Sequence, residues 1–216
     1  MKILMLGNSY TYFFDMPKIL QGLFDANGVD AKVDAITAGG RELTQNLEEN
    51  DALHAQIKQA CAECAYDVLV LQEQSSKAME YYREFLRGVS GCISLVSPGR
   101  TVLYATWGRK EGSELLDHFG WTNQTMTEGL AASYDAAARK CGAACAHVGK
   151  CFAAIRAEGV EVELYDPDLS HPSYVGSCVA AMAIYQKIVG EVPADLSSLA
   201  LGAEAAALCA IVARTA

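Results

Sequence analysis

A chain of 216 residues suffices for one well-packed domain and is short for two, so a single domain over residues 1–216 is expected. Its composition, 51% hydrophobic and 20% charged, is that of a globular core, and a net charge of −9 with an isoelectric point near 4.9 opposes a nucleic-acid or anionic-membrane partner. No run approaches a membrane span, and the four consecutive apolar residues Ile3–Leu6 before Gly7 are too few for a signal-peptide core. Eight cysteines without an export signal then point to reduced thiols and a cytoplasmic setting rather than a disulfide framework. Cys61-Ala62-Glu63-Cys64 has no second cysteine pair or histidine pair at zinc-site spacing, and Cys141, Cys145 and Cys151 sit in Ala-rich surroundings. All of these read as small buried hydrophobes, and no metal or other cofactor is expected.

In chain order, Lys2–Leu6 is a short apolar run stopped by Gly7, and Met16–Ala26 follows with helical spacing of Ile19, Leu20, Leu23 and Phe24, closed by Asn27-Gly28. Ala31–Thr37 alternates as a strand and ends at Gly39-Gly40; Leu53–Cys64 is helical; Asp67–Leu71 is a nearly unbroken apolar strand. A helical pattern covers about Glu80–Leu95, Thr101–Thr106 repeats the strand pattern, and Thr125–Lys140 is again helical. Ala143–Val148 is a weaker strand, Tyr174–Val189 a long helix, and an Ala-rich helix closes the chain over about Leu201–Ala213. Five strands separated by helices require parallel pairing, with both sheet faces covered. The expected fold is a three-layer α/β/α sandwich with a five-stranded parallel sheet.

In such sheets ligands bind beyond the carboxyl ends of the strands. Ser9, Gly39-Gly40, Gln72-Glu73-Gln74-Ser75 and Trp107 all fall just after a predicted strand, so one rim collects them. Far along the chain, Asp168-Leu169-Ser170-His171-Pro172-Ser173 adds a carboxylate and an imidazole. A serine hydroxyl is a weak nucleophile until an imidazole takes its proton, and a carboxylate orients that imidazole; such triads are defined by geometry and not by chain order. Ser9, His171 and Asp168 are the candidates, with Asp168 preferred over Asp166 for its three-residue offset. Pro172 disfavours a helical His171, and Ser173 is a natural N-cap for the helix that follows. His54, His118 and His147 have no comparable setting and read as surface or packing residues.

These motifs resemble those of the SGNH (GDSL-like) hydrolases. Gly7-Asn8-Ser9-Tyr10-Thr11 is similar to the first block of a branch reading G-N-S-x-T, Gly40 matches the glycine of the second block, and Asp168-x-x-His171 matches the terminal block. The third block departs, since Gln74 stands where the family carries an oxyanion-hole asparagine. The resemblance implies a flavodoxin-like sheet and an acyl-enzyme mechanism. Ser9 attacks an ester carbonyl as His171 takes its proton and Asp168 fixes the imidazole, while the Ser9 and Gly40 backbone N–H groups and the Gln74 amide hold the oxyanion.

The implied substrate is a small-molecule ester, and an acetylated carbohydrate fits within the family's range. The stretch Trp107–Asn123 shows no clear period, and two readings stay open for such a loop on the rim: a substrate cover in which Trp107, Arg109 and Trp121 contact a sugar or acyl group, or a surface loop with its aromatics tucked against the body. Two other readings share the fold: a flavin- or phosphate-binding module using the same rim, and a carbohydrate-binding relative that turns nothing over. The first lacks a glycine-rich dinucleotide fingerprint and gives Asp168-x-x-His171 nothing to do. Oligomeric state has no signature in the chain.

Overall fold

A computed structural model describes all 216 residues. Five strands, β1 (Lys2–Gly7), β2 (Lys32–Thr37), β3 (Val68–Leu71), β4 (Arg100–Ala105) and β5 (Ala144–His147), form one sheet in the order β2-β1-β3-β4-β5. Every neighbouring pair is parallel, with Leu4 opposite Leu69 and Leu69 opposite Thr101. The helices are α1 (Ser9–Tyr12), α2 (Met16–Ala26), α3 (Ala52–Glu63), α4 (Lys77–Glu80), α5 (Tyr82–Val96), α6 (Glu114–Phe119), α7 (Asn123–Cys141), α8 (Val148–Ala157), α9 (Tyr174–Val189) and α10 (Ala205–Thr215). The fold is the expected α/β/α sandwich.

The unbroken apolar strands follow from burial on both faces. Ile3, Met5, Val68, Val70, Val102 and Tyr104 point into one core, packed against α2, α8, α9 and α10. Leu4, Leu6, Leu69, Leu71, Leu103 and Ala105 alternate into the other, packed against α3, α5 and α7. The edge strand β2 is covered less completely, and none of its six residues is fully buried. Because β1 is flanked by β2 and by β3, the chain leaves it in opposite directions on its two sides, and a crevice opens beyond its carboxyl end.

The structure differs from the sequence reading in several places, among them a short helix α1 at Ser9–Tyr12 and a last helix that begins at Ala205 and not near Leu201. The helical pattern expected over about 80–95 is α5, which starts at Tyr82, and a separate short helix, α4, precedes it and ends at Glu80. Helix α8 runs straight on from β5 with no turn residue between them. The stretch 107–123 is not an irregular cover: it holds α6, begins in the core at Trp107 and ends where Asn123 starts α7.

Candidate active site

The turn after β1 places Ser9. Gly7 is required by close approach, since a Cβ there would stand 2.5 Å from Thr11 Oγ1 and 2.6 Å from Gln72 Oε1. Asn8 caps the short α1: its Oδ1 accepts from Tyr10 N at 3.1 Å, and its backbone N–H donates to Gln72 Oε1 at 2.9 Å. Its Nδ2 donates to the carbonyl of Arg41 at 2.9 Å, tying the Ser9 turn to the loop after β2. An aspartate here has no N–H to make that bond, which gives the asparagine of Gly7-Asn8-Ser9 a physical reason.

The loop before α9 places His171. Asp168 Oδ1 accepts from the backbone N–H groups of Ser170 and His171, both at 2.9 Å, and Leu169 takes a left-handed φ of 64° to close the turn. Outside the turn, Lys110 N donates to Leu169 O at 2.9 Å, and Trp107 Nε1 donates to Ser170 O at 3.0 Å. Ser173 caps α9 as expected, its Oγ accepting from Gly176 N at 3.1 Å. Asp168 Oδ2 bonds His171 Nδ1, and His171 Nε2 lies 2.7 Å from Ser9 Oγ. Burial works to raise the Asp168 carboxyl, but hydrogen bonds from the His171 ring and the two backbone N–H groups outweigh it and lower its pKa. An ionised Asp168 accepting from Nδ1–H leaves Nε2 as the lone-pair nitrogen that faces the serine.

Packing holds the imidazole in place. The Phe13 ring stacks on it at 4.0 Å between centroids, tilted by 9°, and Tyr10 meets it edge-on at 5.3 Å. The Phe13 contact depends on consecutive left-handed residues, Phe14 and Asp15 (φ 51° and 56°), and nothing in the sequence marked it.

The three candidate oxyanion donors border one cleft with Ser9 and His171, about 190 Å³ in volume, alongside Tyr10, Ser75, Arg109 and Ser170. The backbone N–H groups of Ser9 and Gly40 have no partner within the protein. Gly40 adopts a φ of +66°, a left-handed backbone that glycine takes at no steric cost. Gln74 Oε1 accepts from Ser76 N at 3.2 Å, which leaves its Nε2–H₂ group without a protein acceptor. These N–H groups are of the kind that stabilise a developing oxyanion.

The Gly40 side is braced by buried charge. Arg41 donates to both carboxylate oxygens of Asp51, at 2.5 and 3.1 Å, and to Asn46 Oδ1 at 2.7 Å. The bond from Arg41 holds Asp51 down to about 2. Glu73, 2% exposed, accepts from Leu43 N at 3.2 Å and from Gln74 N at 2.7 Å, joining the second and third loops. Burial pushes its carboxyl up to about 7 against the pull of those bonds.

Two of the proposed substrate contacts do not reach the cleft. Trp107 is fully buried, sandwiched between Tyr10 at 4.8 Å and Phe152 at 4.5 Å, because aromatic surface from two distant segments is there to cover it. It supports the His171 loop instead of touching substrate. Trp121 stacks on Phe119 at 4.3 Å and packs against the α3/α5/α7 core, away from the cleft. Arg109 does border it.

Other clusters offer less. A larger cleft of about 640 Å³ between α7 and α8 contains no Ser, Cys or His. Asp135, Cys145 and His147 have potential ligand atoms within 4.8 Å of one another, but burial pushes the Cys145 thiol up to about 12 and Lys150 Nζ lies 3.8 Å from Asp135 Oδ2. A protonated thiol and a neighbouring ammonium both oppose a cation, and His147 is occupied by its 2.9 Å bond to Asp135. His54 is a packing residue, buried with Nδ1 2.8 Å from Asn46 O. No helix is long and apolar enough to cross a membrane.

No protein-family model and no curated protein matches the chain. Among solved structures, it is 32% identical to a protein from Slackia heliotrinireducens described as an SGNH hydrolase, over 87% of this chain and 98% of that one, with a TM-score of 0.76. A DUF4886 family protein from Bacteroides uniformis shares the fold at 15% identity, covering 98% and 93% of the two chains with a TM-score of 0.79. A variant of Axe2, an acetyl-xylooligosaccharide esterase from Geobacillus, does so at 14% identity, over 87% and 93%, with a TM-score of 0.63. The chain belongs to the SGNH hydrolases.

Proposed function

We propose that the protein is a serine esterase that cleaves a small carboxylic ester through an acyl-enzyme formed on Ser9. The observation that carries this reading is the continuous chain from Asp168 Oδ2 through His171 to Ser9 Oγ, ending at 2.7 Å beside unpartnered N–H donors. His171 Nε2 takes the Ser9 proton as Oγ bonds to the ester carbon, and the carbonyl oxygen becomes an oxyanion held by Ser9 N–H, Gly40 N–H and Gln74 Nε2. Collapse of this intermediate breaks the ester C–O bond, and the imidazolium returns its proton to the leaving alkoxide. Water, deprotonated by the same imidazole, then repeats the sequence on the acyl-enzyme and releases the acid.

A cleft of about 190 Å³ favours a short acyl group. Acetylated carbohydrate is a second reading, favoured by the exposed rings of Tyr12 and Phe14 on the segment just after Ser9, which offer flat apolar faces. A cytoplasmic location belongs to the same proposal, motivated by the unpaired cysteines.

The test is turnover of 4-nitrophenyl acetate by the wild type and three variants. Ser9→Ala and His171→Ala are expected to lose at least about a thousandfold in kcat. Gln74→Ala is expected to lose about a hundredfold, as for removal of one oxyanion donor. Substantial activity in Ser9→Ala overturns the mechanism.

A further inference from the structure

We infer that the substrate carries a carboxylate close to its ester group, and that Arg109 is the specificity-determining residue that binds it. The inference rests on the serine-esterase reading and deepens it. The cleft that holds Ser9 and His171 also holds one guanidinium, that of Arg109. Its Nη2 donates only to the neutral Ser75 Oγ, at 3.2 Å, and its Nε is shielded from water with no hydrogen-bond acceptor at all. The chain has 26 acidic residues, yet none forms an ion pair with Arg109.

Arg109 is only partly buried, but its Nε is shielded from water, and leaving a buried guanidinium N–H without an acceptor is costly; proteins normally supply that partner themselves. Arg41, one loop away, shows the usual solution with its paired contact to Asp51. Arg109 lacks it, and it borders the cleft that holds Ser9 and His171, where a ligand can provide it.

The arginine is also mounted to receive something. Its backbone N–H donates to Met126 Sδ at 3.4 Å and its carbonyl accepts from Asn123 Nδ2 at 2.9 Å, so α7 fixes the base of the side chain. A planar guanidinium on a fixed base suits a carboxylate, which it can grip with two parallel N–H bonds. The cleft is otherwise polar, with a single hydrophobic residue, Tyr10, on its wall, and gives a purely aliphatic acyl chain little surface to bury against.

The carboxylate can sit on the acyl half or on the alcohol half of the ester, and the two are separable. For the acyl half, 4-nitrophenyl hemisuccinate is compared with its methyl ester; for the alcohol half, 4-carboxyphenyl acetate is compared with its methyl ester. The wild type is expected to prefer the charged member of one pair by tenfold or more in kcat/KM. Arg109→Met is expected to erase that preference chiefly through KM, and Arg109→Lys to keep part of it.

The same four esters are titrated calorimetrically into Ser9→Ala and into Ser9→Ala/Arg109→Met, with circular dichroism and a melting curve to establish that both are folded. Tighter binding of a charged ester that depends on Arg109 sustains the inference even if no ester is turned over, in which case the hydrolase mechanism alone fails. Equal handling of charged and capped esters in both pairs, or a preference that survives Arg109→Met in a folded variant, overturns it.

Discussion

The loops after β2 and after β4 each bring an arginine to the rim of the sheet, and the two differ in what answers their charge. Arg41 is closed within the protein by Asp51, Asn46 and the carbonyl of Gln45, and through Asn8 its own carbonyl fixes the turn that carries Ser9. The Arg109 side chain finds the neutral hydroxyl of Ser75, lies near that of Tyr10, and retains an unanswered Nε. The first arrangement is scaffold: it fixes the turn that carries Ser9 and the loop that carries Gly40, and in the proposed mechanism this sets the backbone donors before any substrate arrives. The second leaves a guanidinium N–H unanswered, which is the place the proposed substrate carboxylate would fill. Proteins commonly pay for function in this way, at the positions where local rules are broken.

The braced side has one member that is sensitive near neutral pH. Glu73 has an ordinary value of 4.5 and is raised by burial to about 7, so between these limits the folded protein holds a proton that the unfolded chain has already lost. Stability contributed by the protonated form is therefore complete below about pH 4.5 and is lost as pH rises through about 7. The loss is on the order of 3 kcal/mol. Glu73→Gln keeps an acceptor for Leu43 N and Gln74 N, and denaturant melts across this range are expected to show a smaller fall than in the wild type. An unchanged pH slope would remove Glu73 from the bracing.

A smaller effect separates the two arginines directly. Arg41→Met strips Asp51 and Asn46 of their partner and is expected to cost about 2 kcal/mol by denaturant unfolding. Arg109→Met removes a cation that nothing answers and is expected to leave stability unchanged or raise it by less than about 1 kcal/mol. Equal destabilisation by both substitutions would erase the contrast between scaffold and ligand site.

Much of this architecture is legible in the chain. The continuous apolar runs of β1 and β3 are the signature of strands buried on both faces, and α2 and α9 begin and end where periodicity, Asn27-Gly28 and Ser173 place them. That Ser9, Asp168 and His171 meet is legible because each lies beside a local signal, either a strand end or a proline before a helix. What was not readable depends on contacts between distant segments. Trp107 followed by polar residues looks like the start of a cover, and only the arrival of Tyr10 and Phe152 on its two faces turns it into core. The stack of Phe13 on His171 rests on left-handed backbone at Phe14 and Asp15, residues that carry no sequence signal for that conformation. Helix α8 escaped because Val148 ends the apolar run of β5 and starts the helix at once.

The most direct test of the catalytic centre is the site of covalent capture. A fluorophosphonate, which reports serine nucleophiles activated by an adjacent base, is incubated with the wild type, Ser9→Ala and His171→Ala, and the adduct is mapped by peptide mass spectrometry. A single adduct on Ser9, absent from Ser9→Ala and strongly slowed in His171→Ala, is the predicted result. An adduct on another residue, or labelling of Ser9 at the same rate without His171, would contradict the proposed triad.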